Sequence, residues 1–320
     1  MNALHAELVG SINPNSENHI MLKIAHSPIY QHTLPEGHRF PMLKYELIPE
    51  QLLYEGTCTA ENFFAPSPVD EKWILRTHTV SYWEDLKNLR LDPKMVRKIG
   101  FPLSSELILR ETIITQGTID CCHFALKYGV ALNVAGGTHH AYTNKGEGFC
   151  LLNDVGIASN YLLDNKLATK ILVIDLDVHQ GNGTAEIFRD EPRVFTFSMH
   201  GKENYPLHKE KSDLDIELPT YTHDEAYLKI LFEVLPTLIT HQKPDFLFFV
   251  SGVDILETDK LGKLSVSLQG CYRRDEFVFQ QAMKNSIPIV VSMGGGYSPQ
   301  IRDIVEAHCN TFRLAEKLFF

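Results

Sequence analysis

The sequence predicts an α/β fold: a single doubly wound domain whose mostly parallel central sheet is flanked by helices. Two features carry that expectation. Short apolar, β-rich runs alternate with stretches long enough for helices, and each strong run ends in glycine or polar residues. The runs lie at 130–135 (VALNVA), 170–175 (KILVID), 194–199 (VFTFSM), 245–250 (DFLFFV) and 287–293 (IPIVVSM). Near-continuous apolarity at this length is the pattern of a parallel strand buried on both faces. Helical stretches fill the intervals at 104–128, 153–165, 223–241 and 270–285, with a last one at 298–317. Asn153 and Thr222 are the expected N-caps, and Gly129 the expected stop of the first helix. Residues 1–70 are interrupted by prolines at 14, 28, 35, 41, 49, 66 and 68. They are expected to form an irregular rim around a catalytic core at 71–320, the whole of 1–320 making one domain. Within the rim, IMLKIAH (20–26) reads as an edge or first strand.

Composition narrows the function classes. The chain of 320 residues has 44% hydrophobic and 22% charged residues, which fits a globular protein and excludes wholesale disorder. Its densest apolar run, FLFFV at 246–250, is far shorter than the roughly 20 residues of a membrane span. The opening MNALHAELVGSINPNSENH has no basic start followed by an apolar stretch, so no secretory signal is read and a cytoplasmic location is expected. Cysteines 58, 121, 122, 150, 271 and 309 form no C-x-x-C pair and are expected as buried thiols. With 30 Lys+Arg against 40 Asp+Glu, a net charge of −10 argues against direct nucleic-acid binding. Nothing in the sequence sets an oligomeric state.

The strand ends hold the chemistry. GGTHH follows the first strong run, DLDVHQGNG the second, SMH the third, SGVDILE the fourth and GGGYS the fifth. Ligands of open α/β sheets bind at the carboxyl ends of the strands, so these residues gather on one edge. Asp175, Asp177 and His179 alternate, which places all three on one side of an extended chain. Carboxylates with an imidazole suit zinc or a similar divalent ion. Helix capping by the two aspartates is the ordinary alternative, but Gly181 and Gly183 around Asn182 allow the tight backbone of a metal loop. Asp254 is either a turn aspartate or a third ligand, the latter if its strand lies beside the second. His139 and His140 sit behind Gly136 and Gly137, well placed to move protons, with Asp175 and Asn182 available to orient them. The glycines at 294–296 let backbone approach a ligand closely, and the Tyr297 phenol beside them can donate to a forming oxyanion. Phe149 is read either as lining the entrance or as ordinary core.

Together the motifs AGGTHHAYTNKGEGFCLLND (135–154), VIDLDVHQGNG (173–183), SGVDILETDKLG (251–262) and MGGGYS (293–298) resemble the zinc-dependent histone deacetylase superfamily, with its arginase/deacetylase fold. The resemblance covers roughly residues 75–315. Asn182, where many deacetylases have a second aspartate, and the DILETDKLG segment are similar to the class IV branch and its bacterial relatives. The resemblance implies one Zn²⁺ on Asp177, His179 and Asp254. It implies proton transfer by His139 and His140, supported by Asp175 and Asn182 respectively, and carbonyl polarisation by Tyr297. It further implies a structural K⁺ near Asp175, Asp177, His179, Ser198 and Met199. Gly148 and Phe149, with Gly295, match the acyl-lysine channel. The second aromatic wall is not evident in 200–213, where Tyr205 is the candidate, and no rim aspartate is identified. The implied reaction is hydrolysis of N-acyl-lysine amides. The competing readings are an acetylpolyamine-type small-molecule amidohydrolase, an arginase-like dinuclear enzyme and a non-catalytic acyl-lysine binder.

Overall fold

A computed structural model of the chain describes residues 20–320. The expected strands form around a core of aliphatic and phenylalanine side chains. β1 (Lys23–Ala25), β2 (Phe63–Phe64), β3 (Val130–Asn133), β4 (Ile171–Asp175), β5 (Val194–Gly201), β6 (Leu214–Leu218), β7 (Phe246–Val250) and β8 (Ile289–Ser292) make one sheet. Its order is β2-β1-β3-β8-β7-β4-β5-β6. All seven pairings are parallel. β3, β4, β7 and β8 are buried along their whole length, as a sheet covered on both faces requires.

Among the described residues, ten α-helices connect and cover it: α1 (Lys44–Tyr54), α2 (Glu71–Thr77), α3 (Val80–Lys87), α4 (Pro93–Ile99), α5 (Ser105–Tyr128), α6 (Asp154–Asp164), α7 (Asn182–Phe188), α8 (Asp224–Gln242), α9 (Leu268–Lys284) and α10 (Ile301–Phe319). They fall into two sets that pack among themselves. α5 meets α6, and α6 meets α2 and α7; α10 meets α1 and α9, and α9 meets α8. The strand order explains this division. Connections through α5, α6 and α7 run toward the β6 edge, whereas those through α1, α8 and α9 run toward the β2 edge. Right-handed crossovers then put the two sets on opposite faces. The chain leaves β3 and β4 for one face, and β7 and β8 for the other. Crevices therefore open between the ends of β4 and β7 and between those of β3 and β8, at the topological switch of the sheet.

Local chemistry agrees with most of the expected boundaries. Asn153 caps α6, its side chain accepting from Gly156 N, and Gly129 ends α5 at φ 92°. Thr222 is not the cap of α8: His223 holds that position, and Thr222 Oγ1 donates to Pro219 O at 2.7 Å instead. Residues 1–19 of the expected rim lie outside the described residues. The remainder is more regular than its prolines suggest. IMLKIAH contributes the three-residue β1, one strand in from the edge, and α1 carries Pro49 within it. β6 was not expected from its polar sequence LDIEL; it pairs with β5 at the opposite edge. All six cysteines are buried and free. No described helix is long and apolar enough to cross a membrane.

One buried ion pair ties the switch point together. Arg274 of α9, fully buried, bonds Asp275 Oδ1 at 2.7 Å, Gly252 O at 2.5 Å, Leu176 O at 3.3 Å and Ser251 Oγ at 3.0 Å. It thus clamps the ends of β4 and β7 from below. Removing one partner of such a pair leaves the other charge buried and alone. Arg274→Met is expected to lower unfolding free energy by about 3–5 kcal/mol in denaturant titration. A loss below about 1 kcal/mol would contradict the clamp.

Candidate metal centre and active site

β4 and β7 are neighbours in register, with Asp175 opposite Val250, so the segments that follow them run side by side. Asp177 and His179 come from the first and Asp254 from the second. Asp177 Oδ1 lies 3.0 Å from His179 Nδ1, and Asp254 Oδ2 lies 3.0 Å from the same nitrogen. All three residues are buried, and their donor atoms lie within 4.8 Å of one another. A tetrahedral ion at about 2.0–2.1 Å from its ligands separates them by roughly 3.3 Å, close to what is found here. The remaining carboxylate oxygens are occupied elsewhere. Asp177 Oδ2 accepts from Gly295 N at 2.7 Å, and Asp254 Oδ1 from Val178 N at 2.9 Å. Asp254 Oδ2 has no hydrogen bond although it is fully buried. Two carboxylates and an imidazole aimed at one point, with an orphaned oxygen among them, fit a divalent cation.

The electrostatics give the same answer. Burial alone would lower the His179 pKa, but the close carboxylates of Asp177 and Asp254 outweigh it and push it up to about 10. Burial and the Asp177 charge push Asp254 up to about 7. The cluster therefore pulls positive charge into itself. A metal ion bound there would supply that charge and displace the protons.

Beside this centre, the end of β3 delivers His139 and His140, whose ring centroids are 4.1 Å apart. His139 Nδ1 lies 2.6 Å from Asp175 Oδ2, and His140 Nδ1 lies 2.6 Å from Asn182 Oδ1. The Asn182 amide is oriented by its own donors, since Nδ2 reaches Glu147 Oε1 at 2.8 Å and the Tyr142 hydroxyl at 2.9 Å. Its carbonyl oxygen must then accept from His140 Nδ1–H, which leaves Nε2 as the free base. The two rings are driven apart in basicity. Burial would lower His139, but the charges of Asp175 and Asp177 outweigh it and raise it to about 9. Burial holds His140 well below its ordinary value, helped by His139 and His179.

β8 completes the site. A Cβ on Gly295 would lie 2.1 Å from Asp254 Oδ2, so only glycine lets this loop close over the carboxylates. Tyr297 follows, half-buried, with its ring 6.4 Å from that of His179. Its backbone N–H donates to Asp259 Oδ2 at 2.6 Å, while Asp259 Oδ1 accepts from Leu261 and Gly262. Gly148 adopts φ 58° against the His140 ring, and a Cβ there would lie 2.5 Å from His140 Cδ2. Phe149 follows at φ 67°, a costly conformation for a phenylalanine. It packs against Phe40, Phe101 and Tyr297 at centroid distances of 5.1, 5.1 and 6.0 Å. Tyr205 stands across from it, 5.0 Å from His140. Ser198 and Met199 lie on β5, where Ser198 is in register with Asp175.

Several residues of the site are not marked in the sequence. Lys44 of α1 is fully buried and donates to Gly294 O at 3.1 Å; burial lowers its pKa to about 8 against the pull of Asp254 and Asp177. Nothing in FPMLKYELI distinguishes it from a surface helix lysine. Glu147, Asp259 and Arg274 were not expected at the site either. The two acids stand inside the motifs named above, in GEG and TDKLG, where a lone carboxylate among glycines or at a turn is the signal that marks them.

The comparisons with known proteins come to the same place. The family model described as histone deacetylase domain matches residues 38–312. The chain is 41% identical over 296 residues to an uncharacterized protein of Picosynechococcus sp., covering 92% of this chain and 99% of that protein. It is 28% identical over 269 residues to histone deacetylase 2 of Arabidopsis thaliana, covering 81% and 70% of the two chains. It is 25% identical over 300 residues to the acetoin utilization protein AcuC of Staphylococcus aureus, covering 84% and 74%. Two crystal structures share the fold: the HD domain of HDA15 (TM-score 0.78, 18% identity, 92% of this chain and 90% of that one) and a histone deacetylase homolog complexed with SAHA (0.77, 22%, 91% and 83%). With a model match spanning most of its length, the chain belongs to the histone deacetylase family.

Proposed function

We propose that this deacetylase-family hydrolase cleaves N-acyl-lysine amides with one zinc ion held by Asp177, His179 and Asp254. The observation that carries the reading is the meeting of those three donor atoms beside a neutral imidazole whose Nε2 is free. A bound divalent ion supplies polarisation of the amide carbonyl and lowers the pKa of water toward about 7. The protein's own groups do the rest. His140 Nε2 accepts the proton of the attacking water, because Asn182 takes its other nitrogen and burial keeps the ring uncharged. Oxygen adds to the amide carbon, and the Tyr297 hydroxyl donates to the oxyanion that forms. His140 then returns its proton to the departing amine nitrogen, the C–N bond breaks, and acid and amine are released. His139, oriented by Asp175 at 2.6 Å from its Nδ1, stands next to this proton traffic. Phe149 and Tyr205 grip the aliphatic stem of the lysine and keep bulk water away.

A potassium ion at the ends of β4 and β5 belongs to the same proposal. It would be held near Asp175, Asp177, His179, Ser198 and Met199, and the register of Ser198 against Asp175 supports that placement. Its role would be to share the charge of Asp175 and stiffen the metal loop.

Three outcomes test the mechanism. Tyr297→Phe is expected to lose about 10²–10³ in turnover of an acetyl-lysine peptide while its melting temperature and metal content stay unchanged. Near-normal turnover would remove Tyr297 from the mechanism. Asp177→Ala is expected to purify without stoichiometric zinc; elemental analysis finding one ion per chain would refute the ligand set. Asn182→Asp places a carboxylate against His140 Nδ1 and raises that ring's pKa by about one unit or more. A raised pKa leaves the base protonated over more of the acid range. The acid limb of the kcat/KM profile should therefore move to higher pH, and an unmoved limb would show that His140 is not the base.

A further inference from the structure

We infer that the mouth of this site selects acyl-lysines carried in acidic peptide segments, an inference that rests on the deacylase reading and deepens it. The chain as a whole has a net charge of −10, yet the charge around the channel opening has the other sign. Arg39, Lys98 and Lys263 line the outer cavity together with His140, Phe149 and Tyr297, and Lys260 lines the adjoining groove beside Tyr297. All four cations are exposed. Among the described residues, none of the four is in an ion pair. The one carboxylate in the outer lining, Glu203, accepts from Thr220 Oγ1 at 2.9 Å.

This ring is built from three separate segments, each fixed near its charge. Arg39 stands between His38, whose Nε2 is 2.8 Å from Gly100 O, and the buried Phe40, and its guanidinium lies 5.0 Å over the Phe149 ring. The backbone oxygen of Lys98 accepts from Gly148 N at 2.9 Å, which joins that lysine to the channel wall. The backbone N–H of Lys263 donates to Asn204 Oδ1 at 3.2 Å, next to Tyr205. The Cα positions are therefore set by the walls, with the Arg39 guanidinium resting on Phe149 and the exposed ammonium groups of Lys98 and Lys263 available to a ligand.

An acylated lysine is uncharged, so such a ring cannot act on the group that enters the channel. It acts on what stays outside. At physiological ionic strength charges interact over about 8 Å, which reaches the residues flanking the acyl-lysine. Aspartates and glutamates there are attracted, and lysines and arginines are repelled, more strongly at a concave opening than on a flat surface. The same field disfavours an acetylated polyamine, whose remaining ammonium would sit among Arg39, Lys98 and Lys263. It thus separates the two substrate classes that the catalytic residues alone leave open.

The test compares kcat/KM of the zinc-loaded protein on three peptides of equal length. Each holds one central acetyl-lysine, flanked by glutamate, by glutamine or by lysine. N-acetylputrescine and its carboxylate counterpart 4-acetamidobutanoate are run beside them. The glutamate peptide should exceed the lysine peptide by about tenfold or more at low salt. That ratio should shrink near 0.5 M salt, where the Debye length is roughly 4 Å, and reverse in the Lys98→Glu/Lys263→Glu double variant, whose folding is checked by circular dichroism. Equal rates on the three peptides, or a ratio untouched by the double variant, would overturn the acidic-peptide inference and leave the deacylase reading standing. Turnover of 4-acetamidobutanoate above every peptide would overturn it in favour of a small anionic amide. No turnover of any peptide would remove the deacylase reading, and this inference with it.

Discussion

The structure turns on two carboxylates, Asp177 and Asp254, buried together at the ends of neighbouring parallel strands. Burying one anion without compensation is costly, and burying two that face each other is more so. Backbone N–H groups of Val178 and Gly295 and the His179 ring satisfy part of the demand. What remains is an attraction for a cation at one point. The glycine at 295, the clamp of Arg274 beneath and the crossing directions of the helices all serve to keep that point where it is. The rest of the chemistry is arranged around it.

A second consequence follows from the sheet. Because β3 and β8 lie side by side, His139 and His140 after β3 and Tyr297 after β8 line one cavity. The segments after β4 and β7 bring Asp177, His179 and Asp254 together beside them. Two histidines adjacent in sequence become unlike in basicity through what stands behind each: a carboxylate for His139, an amide for His140. The amide in turn is held by Glu147 and Tyr142, so the charge that could have sat against His140 is moved one residue further away.

Much of this was legible because it is local. Apolar runs mark the buried strands, and the residues immediately after them are those that converge in space. Asp177 and His179 were legible from their place just after a strand, although the chain leaves β4 at Asp175 and bends there instead of staying extended. Asp254 needed one non-local fact, the adjacency of its strand to β4, which the sheet order provides. The parts that sequence did not disclose are long-range. Lys44 and Phe40 reach the site from a segment whose prolines suggested only an irregular rim. Arg274 reads as an ordinary helix arginine until α9 is laid under the strand ends. The Thr222 cap failed because α8 begins one residue later than expected, at Asp224 behind His223, and the Thr222 hydroxyl donates to Pro219 O. The cationic ring at the mouth joins residues 39, 98 and 263, positions that no spacing rule connects.

The most direct measurement is a crystal structure with zinc, read by its anomalous signal. One peak is expected in the crevice between the ends of β4 and β7, about 2.0–2.1 Å from Asp177 Oδ1, His179 Nδ1 and Asp254 Oδ2, with a further position open toward His140 and Tyr297. A peak elsewhere, or one whose coordination leaves out any of the three, would contradict that ligand set.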